Sequence, residues 1–225
     1  IRLLNGPGVT LSGAPMTVGV PFPHGALYDE RRVRLVDVRG AEMPLQTKTT
    51  ARWSRYGAIQ WLLCDFTADL AGTARTVFIE YGPNVTRAAR AAMGVTRPST
   101  GFPTIDAGRL KVSAGGLGFD PAGTGVARMV LGADALQGAF VLHEDGRRFA
   151  VPADVHHEVE ESGSEKTVVR RTGWYVDAHS GGRFCQFVTR FVFHRNSPVV
   201  RLYHTWIFTG DGNRDRIREM GWRFD

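Results

Sequence analysis

The sequence predicts an all-β protein of two parts, the first a small barrel or sandwich and the second an antiparallel β-sandwich. Three observations predict it. Apolar and polar residues alternate with period two along most of the chain, and helical periodicity is nearly absent. Turn residues recur about every 8–12 positions, the spacing of short strands in barrels and sandwiches. A stretch rich in Pro, Ser, Thr and Gly, Thr96 to Pro103, divides the chain near its middle. At 225 residues there is room for one large β domain or two of roughly 100 residues each. With 43% hydrophobic and 22% charged residues, the chain carries enough apolar material for a core and is not of the disordered class.

In the first half, Met16 to Val20 alternates and stops at Pro21-Phe22-Pro23, where two prolines forbid a central strand. Val33 to Val38 is a strand closed by Arg39-Gly40, and Met43 to Trp53 reads as one further strand. Tyr56-Gly57 then leads to Ile59 to Phe66, in which Ile59, Trp61, Leu63 and Asp65 share one face and Gln60, Leu62, Cys64 and Phe66 the other. Trp53, Ile59, Trp61 and Leu63 are the expected barrel core. Ala74 to Tyr81 completes a domain placed at residues 1–82. Residues 83–103 read as a linker in which Arg87 to Met93 could make two helical turns before Gly94 and Pro98.

Residues 104–225 form the expected sandwich, read as cut short at its C-terminal end. Glu144-Asp145-Gly146 between Ala139–Leu142 and Arg147–Val151 is the strongest hairpin signal, because Asp-Gly tolerates the positive φ of twisted hairpin turns. Val155 to Glu161 and Thr167 to Val176 follow. Arg183 to His194 and Val199 to Phe208 then form a long pair. Cys185, Phe187, Phe191 and Phe193 share one face of the first, and Val200, Leu202, His204, Trp206 and Phe208 one face of the second. Two sheets with such aromatic faces pack face to face.

Several chemistries are excluded or weakened. Two cysteines, Cys64 and Cys185, cannot make a disulfide scaffold or a four-thiolate zinc site, and both sit in apolar strands where a thiol is a small hydrophobe. No apolar run is long enough for a transmembrane helix, and no membrane partner is expected. The net charge of +6 attracts acidic partners, but 25 of the 28 basic residues are dispersed arginines, which suits an acidic polysaccharide better than nucleic acid. His156-His157-Glu158 alternates on a strand, so the two imidazoles point apart and no metal is expected there. Gly115-Gly116-Leu117-Gly118 opens no helix and is a turn or bulge, not a dinucleotide fingerprint. No nucleophile triad and no cofactor motif is present.

The best binding candidates are Arg190, His194, Tyr203 and His204 on the long strand pair. An aromatic ring can pack on sugar C–H faces, and an arginine fork matches a carboxylate. Strand parity separates Tyr203 from His204, so only one of them can join Arg190 and His194. A histidine on an apolar strand face is more often a hydrogen-bonded core residue than a ligand.

Val18-Gly19-Val20-Pro21-Phe22-Pro23-His24-Gly25, Val33-Arg34-Leu35-Val36-Asp37, Ala51-Arg52-Trp53 and Gly57-Ala58-Ile59-Gln60-Trp61-Leu62-Leu63-Cys64-Asp65-Phe66 resemble the N-terminal barrel of the exo-rhamnogalacturonan lyase, YetA-like family. Ile105 to Leu110, Tyr203-His204-Thr205 and Phe208-Thr209-Gly210-Asp211 resemble strands of that family's central β-sandwich. The resemblance implies a RIFT-type barrel and a sandwich that would be joined to an α/α toroid. It implies β-elimination on a uronate-containing, rhamnogalacturonan-like polysaccharide outside the cytoplasm, in the periplasm or extracellular space. The matching motifs are structural, so no catalytic residue is carried over, and the catalytic toroid is expected to lie outside this chain. The reading from a different class is a non-catalytic carbohydrate-binding or assembly module.

Overall fold

The computed structural model describes residues 1–6, 8–72, 74–99, 101–113, 116–119, 128–131, 138–152 and 155–222. Nineteen strands and no helix occur among them. The chain divides into two compact units, Ile1–Ala92 with Gly163–Lys166, and Met93–Ser162 with Thr167–Asp225. Among the described residues, no sheet mixes strands that precede Gly82 with strands that follow Met93.

In the first unit, β1 (Arg2–Leu4), β3 (Val33–Asp37), β4 (Glu42–Met43) and β7 (Ala74–Tyr81) make a four-stranded sheet in the order β1-β7-β3-β4. Strands β2 (Leu11–Pro21), β5 (Gln46–Arg52) and β6 (Ile59–Leu70) make a three-stranded sheet in the order β2-β6-β5. Strand β2 runs longer than the alternation alone indicates and contains Pro15 and Pro21. It is tolerated because it lies at the sheet edge, where missing N–H groups break no ladder. The expected single strand from Met43 to Trp53 is instead two. Pro44 lacks a donor, buried Leu45 turns into the core, and the chain passes from one sheet to the other.

The barrel core contains Val33, Leu35, Ile59, Leu62, Cys64, Phe66, Ala68, Leu70 and Val77. Ile59 is inside as expected, but Trp61 is 43% exposed and Trp53 45% exposed, so these two indoles do not belong to it. The cause is a register shift between β5 and β6: Arg52 faces Ile59, Ala51 faces Trp61 and Thr49 faces Leu62. The bulge places Ile59 and Leu62, three residues apart, on the same inner side and turns Trp61 outward. Trp61 then lies against Gly19, and the Trp53 indole N–H donates to the Phe22 carbonyl at 3.1 Å.

Residues 87–93 form no helix. The Ala88 N–H donates to Glu42 Oε1 at 2.8 Å, Arg87 Nη2 to Thr47 Oγ1 at 3.1 Å, and Arg90 pairs with Glu165 at 3.0 Å. These partners claim the segment before an i→i−4 ladder can close. One deeply buried ion pair sits in this unit: Lys166 Nζ donates to Asp65 Oδ2 at 2.7 Å, and Thr17 Oγ1 donates to Asp65 Oδ1 at 2.6 Å.

In the second unit, a five-stranded sheet has the order β12-β11-β10-β9-β8, from β8 (Gly94–Thr96), β9 (Thr104–Asp106), β10 (Leu110–Ser113), β11 (Gly116–Phe119) and β12 (Arg128–Leu131). The larger sheet has the order β18-β17-β16-β14-β13-β19, with β15 also pairing β16. Its members are β13 (Ala139–His143), β14 (Arg148–Ala150), β15 (His156–Ser162), β16 (Lys166–Asp177), β17 (Arg183–His194), β18 (Val200–Ile207) and β19 (Ile217–Trp222). Strands β13 and β14 form the expected hairpin, with Gly146 at φ 90°. Gly116–Phe119, within the glycine-rich stretch, is a strand, and Gly115 lies outside the described residues.

Between the sheets, Ile105, Leu110 and Val112 of the smaller one pack on Val169, Phe191 and Phe193 of the larger. A second cluster joins Val141, Phe149, Tyr175, Phe184, Cys185 and Phe187. The face read from the sequence holds. Phe187 opposes Trp206, Phe191 opposes Leu202 and Phe193 opposes Val200 across β17 and β18.

Candidate functional site

The long pair β17–β18 carries all four residues singled out from the sequence, and the register distributes them. Thr189 stands opposite His204, and Arg190 opposite Tyr203. Directly paired residues share a face and successive residues alternate. Arg190 and Tyr203 therefore lie on the outer face and His204 on the inner one. Tyr203 is 59% exposed, whereas His194 is buried.

On the inner face His204 is held on both ring nitrogens. Tyr175 OH is 2.5 Å from Nε2 and Thr189 Oγ1 is 2.6 Å from Nδ1. The ring stacks on Phe187 at 5.9 Å and meets Trp206 and Trp222 edge-on at 4.2 and 5.0 Å. Burial, and then the Arg171 charge, lower its pKa to about 4, so the ring is neutral near pH 7; one nitrogen donates and the other accepts. Burial likewise pushes the Tyr175 phenol above its ordinary value.

Arg171 stands behind this cluster with almost no exposed surface. Its guanidinium lies 5.2 Å from the Phe191 ring, 5.5 Å from Trp222 and 5.7 Å from Phe187, and among the described residues Nε and Nη2 have no hydrogen-bond partner. The ring faces attract the cation where a carboxylate would ordinarily do so, and burial lowers its pKa to about 10. The cluster is thus a set of packed, hydrogen-bonded side chains; His204 has no free nitrogen to offer a substrate.

The outer face is chemically different. Arg190 Nε and Nη2 donate to Glu160 Oε2 at 2.7 Å and Oε1 at 3.0 Å, a two-pronged pair that occupies the fork. An external carboxylate would have to displace Glu160 to use it. Arg170 and Glu158 form a second exposed pair on this face at 2.5 Å. Tyr203 offers an uncovered ring beside these charges. Burial raises both thiols, Cys64 to about 12, so neither is poised as a nucleophile. Among the described residues no group of three or more His, Cys, Asp or Glu could hold a metal ion.

Tyr175, Thr189 and Arg171 were not singled out from the sequence. Thr189 had a usable signal, a hydroxyl between Phe187 and Phe191 on an otherwise apolar face, which demands a polar partner once buried. Arg171 had none, since nothing local distinguishes a buried arginine from the exposed Arg170 beside it.

Two family matches fall on the two units. Residues 1–71 match the PcRGLX-like N-terminal RIFT barrel domain, and residues 143–225 match the PcRGLX-like protein central beta sandwich domain. The chain belongs to the PcRGLX-like family. The PcRGLX-like sandwich match spans Tyr175, Thr189, Arg190, His194, Tyr203 and His204. No curated protein matches the chain.

Among solved structures, the PcRGLX-like chain is similar to an alpha-mannosidase from Enterococcus faecalis, with a TM-score of 0.54, 11% identity and 91% of this chain covered. A glycosyl hydrolase family 38 protein from the same organism follows, with a TM-score of 0.47, 11% identity and 91% of this chain covered. The chain spans 29% of the first and 30% of the second. At that identity the mannosidase likeness is one of fold alone.

Proposed function

We propose that this chain is the N-terminal, non-catalytic β portion of a polysaccharide lyase that cleaves a uronate-containing, rhamnogalacturonan-like polysaccharide by β-elimination. The observation that carries the reading is the occurrence of two PcRGLX-like domains, barrel and then sandwich, in one chain. β-Elimination needs a group to neutralise the uronate carboxylate, a base for the proton beside it and an acid for the departing oxygen. In the sandwich the histidine best placed for proton transfer has both nitrogens engaged, and the Arg190 fork is held by Glu160. We therefore assign the chemistry to an α/α toroid joined to these domains. Support for the substrate is assigned to the outer face, with Tyr203 as a ring for the sugar and Arg190 as its neighbour. The site of action is extracellular or periplasmic.

The test is to incubate the full-length protein with rhamnogalacturonan and other polyuronates and follow ultraviolet absorbance. Formation of the unsaturated uronate raises it. A flat trace on every polyuronate, with retained binding of the glycan, overturns the lyase reading in favour of a binding module.

A further inference from the structure

On one side, β16 is paired by two different strands with a gap between them. Strand β14 pairs Phe149 and Ala150 with Asp177 and Val176, and β15 begins its pairing with His156 opposite Thr172. Gly173, Trp174 and Tyr175 fall between the two ladders. A cleft of about 300 Å³ opens there, lined by Val155, His156, Thr172, Trp174 and Arg183 among others. That volume is at the lower end of small-molecule sites, enough for a single ring.

The residues converge for reasons written in the backbone. Thr172 and Trp174 lie two positions apart on one face of β16, roughly 6.6 Å along the strand. His156 shares that face because it is the direct partner of Thr172. Gly173 closes the floor; a Cβ there would lie 3.1 Å from the Phe187 ring and 3.3 Å from Val155. Arg183 reaches the cleft through a break in the alternation of β17. Phe184 and Cys185 are consecutive and both buried, and Cys185 adopts φ 60°, a left-handed conformation that L side chains avoid. Its N–H donates to Thr209 Oγ1 at 3.0 Å. Such a left-handed residue inside a strand re-aims the residues before it.

Among the described residues, no ion pair or hydrogen bond joins Arg183, His156 or Trp174 to another side chain, and no carboxylate lines the cleft. Arg170 and Arg190 of the same sheet are both paired with glutamates. Among the described residues, Arg183 therefore differs from them in having no carboxylate on its fork. A cation with no counter-charge among the described residues, an indole and two small polar groups around a ring-sized space match a ring that has apolar C–H faces, hydroxyls and one carboxylate. The fork takes the carboxylate through two parallel hydrogen bonds.

We infer that this cleft in the sandwich is a subsite for a single uronate residue of an acidic glycan, with Trp174 under the ring and Arg183 on its carboxylate. The inference rests on the reading of the chain as part of an enzyme acting on such glycans and adds where one of their sugars is gripped.

Isothermal titration of the 225-residue chain with a galacturonate trisaccharide tests it, with the neutral galactose trisaccharide of the same linkage as comparison. The uronate trimer is expected to bind at least tenfold more tightly than the neutral one. Arg183→Gln and Trp174→Leu, each checked by circular dichroism for an intact fold, are each expected to lose at least tenfold. Arg147→Gln, which removes the same charge from the β13–β14 turn, is expected to bind within twofold of the parent. Equal binding of the two trimers, no binding by the parent, parental affinity in Arg183→Gln, or an equal loss in Arg147→Gln overturns the subsite. The lyase reading fails separately: unsaturated product from the full-length protein stands whatever this titration returns, and its absence leaves an Arg183-dependent uronate grip intact.

Discussion

Replacing Asp65 by Asn tests how the first unit is held together. Asp65 is fully buried and Lys166 is 9% exposed, with 2.7 Å between Oδ2 and Nζ. The amide is isosteric, so the substitution removes charge without opening a cavity and leaves a buried ammonium facing a neutral group. Removing one partner of a buried pair costs about 3–5 kcal/mol. Cys64, next in the chain and fully buried, gives a readout confined to this unit. A thiol reagent reaches it only when the unit opens. With opening and closing fast relative to labelling, each 1.4 kcal/mol lost speeds labelling roughly tenfold. Asp65→Asn should therefore label at Cys64 roughly a hundred- to a few thousandfold faster. Labelling of Cys185, in the other unit, should stay unchanged. Peptide mass spectrometry separates the two thiols. Asp65→Asn combined with Lys166→Met removes both charges and should recover most of the loss. A single variant labelling within fivefold of the parent, or a double variant no better than the single, refutes the reasoning.

Other perturbations follow from the same geometry. Leu62→Ala, inside the barrel, should cost about 2–5 kcal/mol in urea denaturation, whereas Trp61→Ala, on its outside, should cost about 1 kcal/mol or less; a reversed order would show that the bulge at Gln60 is misplaced. Gly108 has φ 86°, and a Cβ there would meet the Asn196 side chain, so Gly108→Ala should destabilise the second unit by about 1–3 kcal/mol, read as a lower melting temperature. His157 and His204 both have pKa values lowered by burial to about 4, against an ordinary 6.5. The unfolded chain then binds more protons between these values. The stability these neutral rings contribute is complete above pH 6.5 and is lost as pH falls toward 4. The urea midpoint should drop over that interval, and a parent whose midpoint is flat from pH 7 to 4 would contradict the burial of both rings.

Period-two alternation was enough to read β7, β17 and the β13–β14 hairpin almost to the residue, because a strand with one buried face writes its parity into the sequence. The aromatic face of β17–β18 was legible for the same reason. Reading failed where a residue left the alternation. The outward turn of Trp61 depends on a bulge fixed by how β5 pairs with β6, and the helical stretch at Arg87 to Met93 was overruled by Glu42, Thr47 and Glu165, distant in sequence. Likewise, which of Tyr203 and His204 would join Arg190 was a matter of strand register, and register is set by pairing across the sheet.

Composition and local pattern thus established the all-β class and the identity of the long strands, since these depend on neighbours a few positions away. The occupied fork of Arg190, the engagement of His204 by Tyr175 and Thr189, and the cleft beside Trp174 and Arg183 required folded coordinates. Each depends on side chains brought together from different strands, and the free energy that decides them, burial of charge and satisfaction of buried polar groups, exists only once those strands have met.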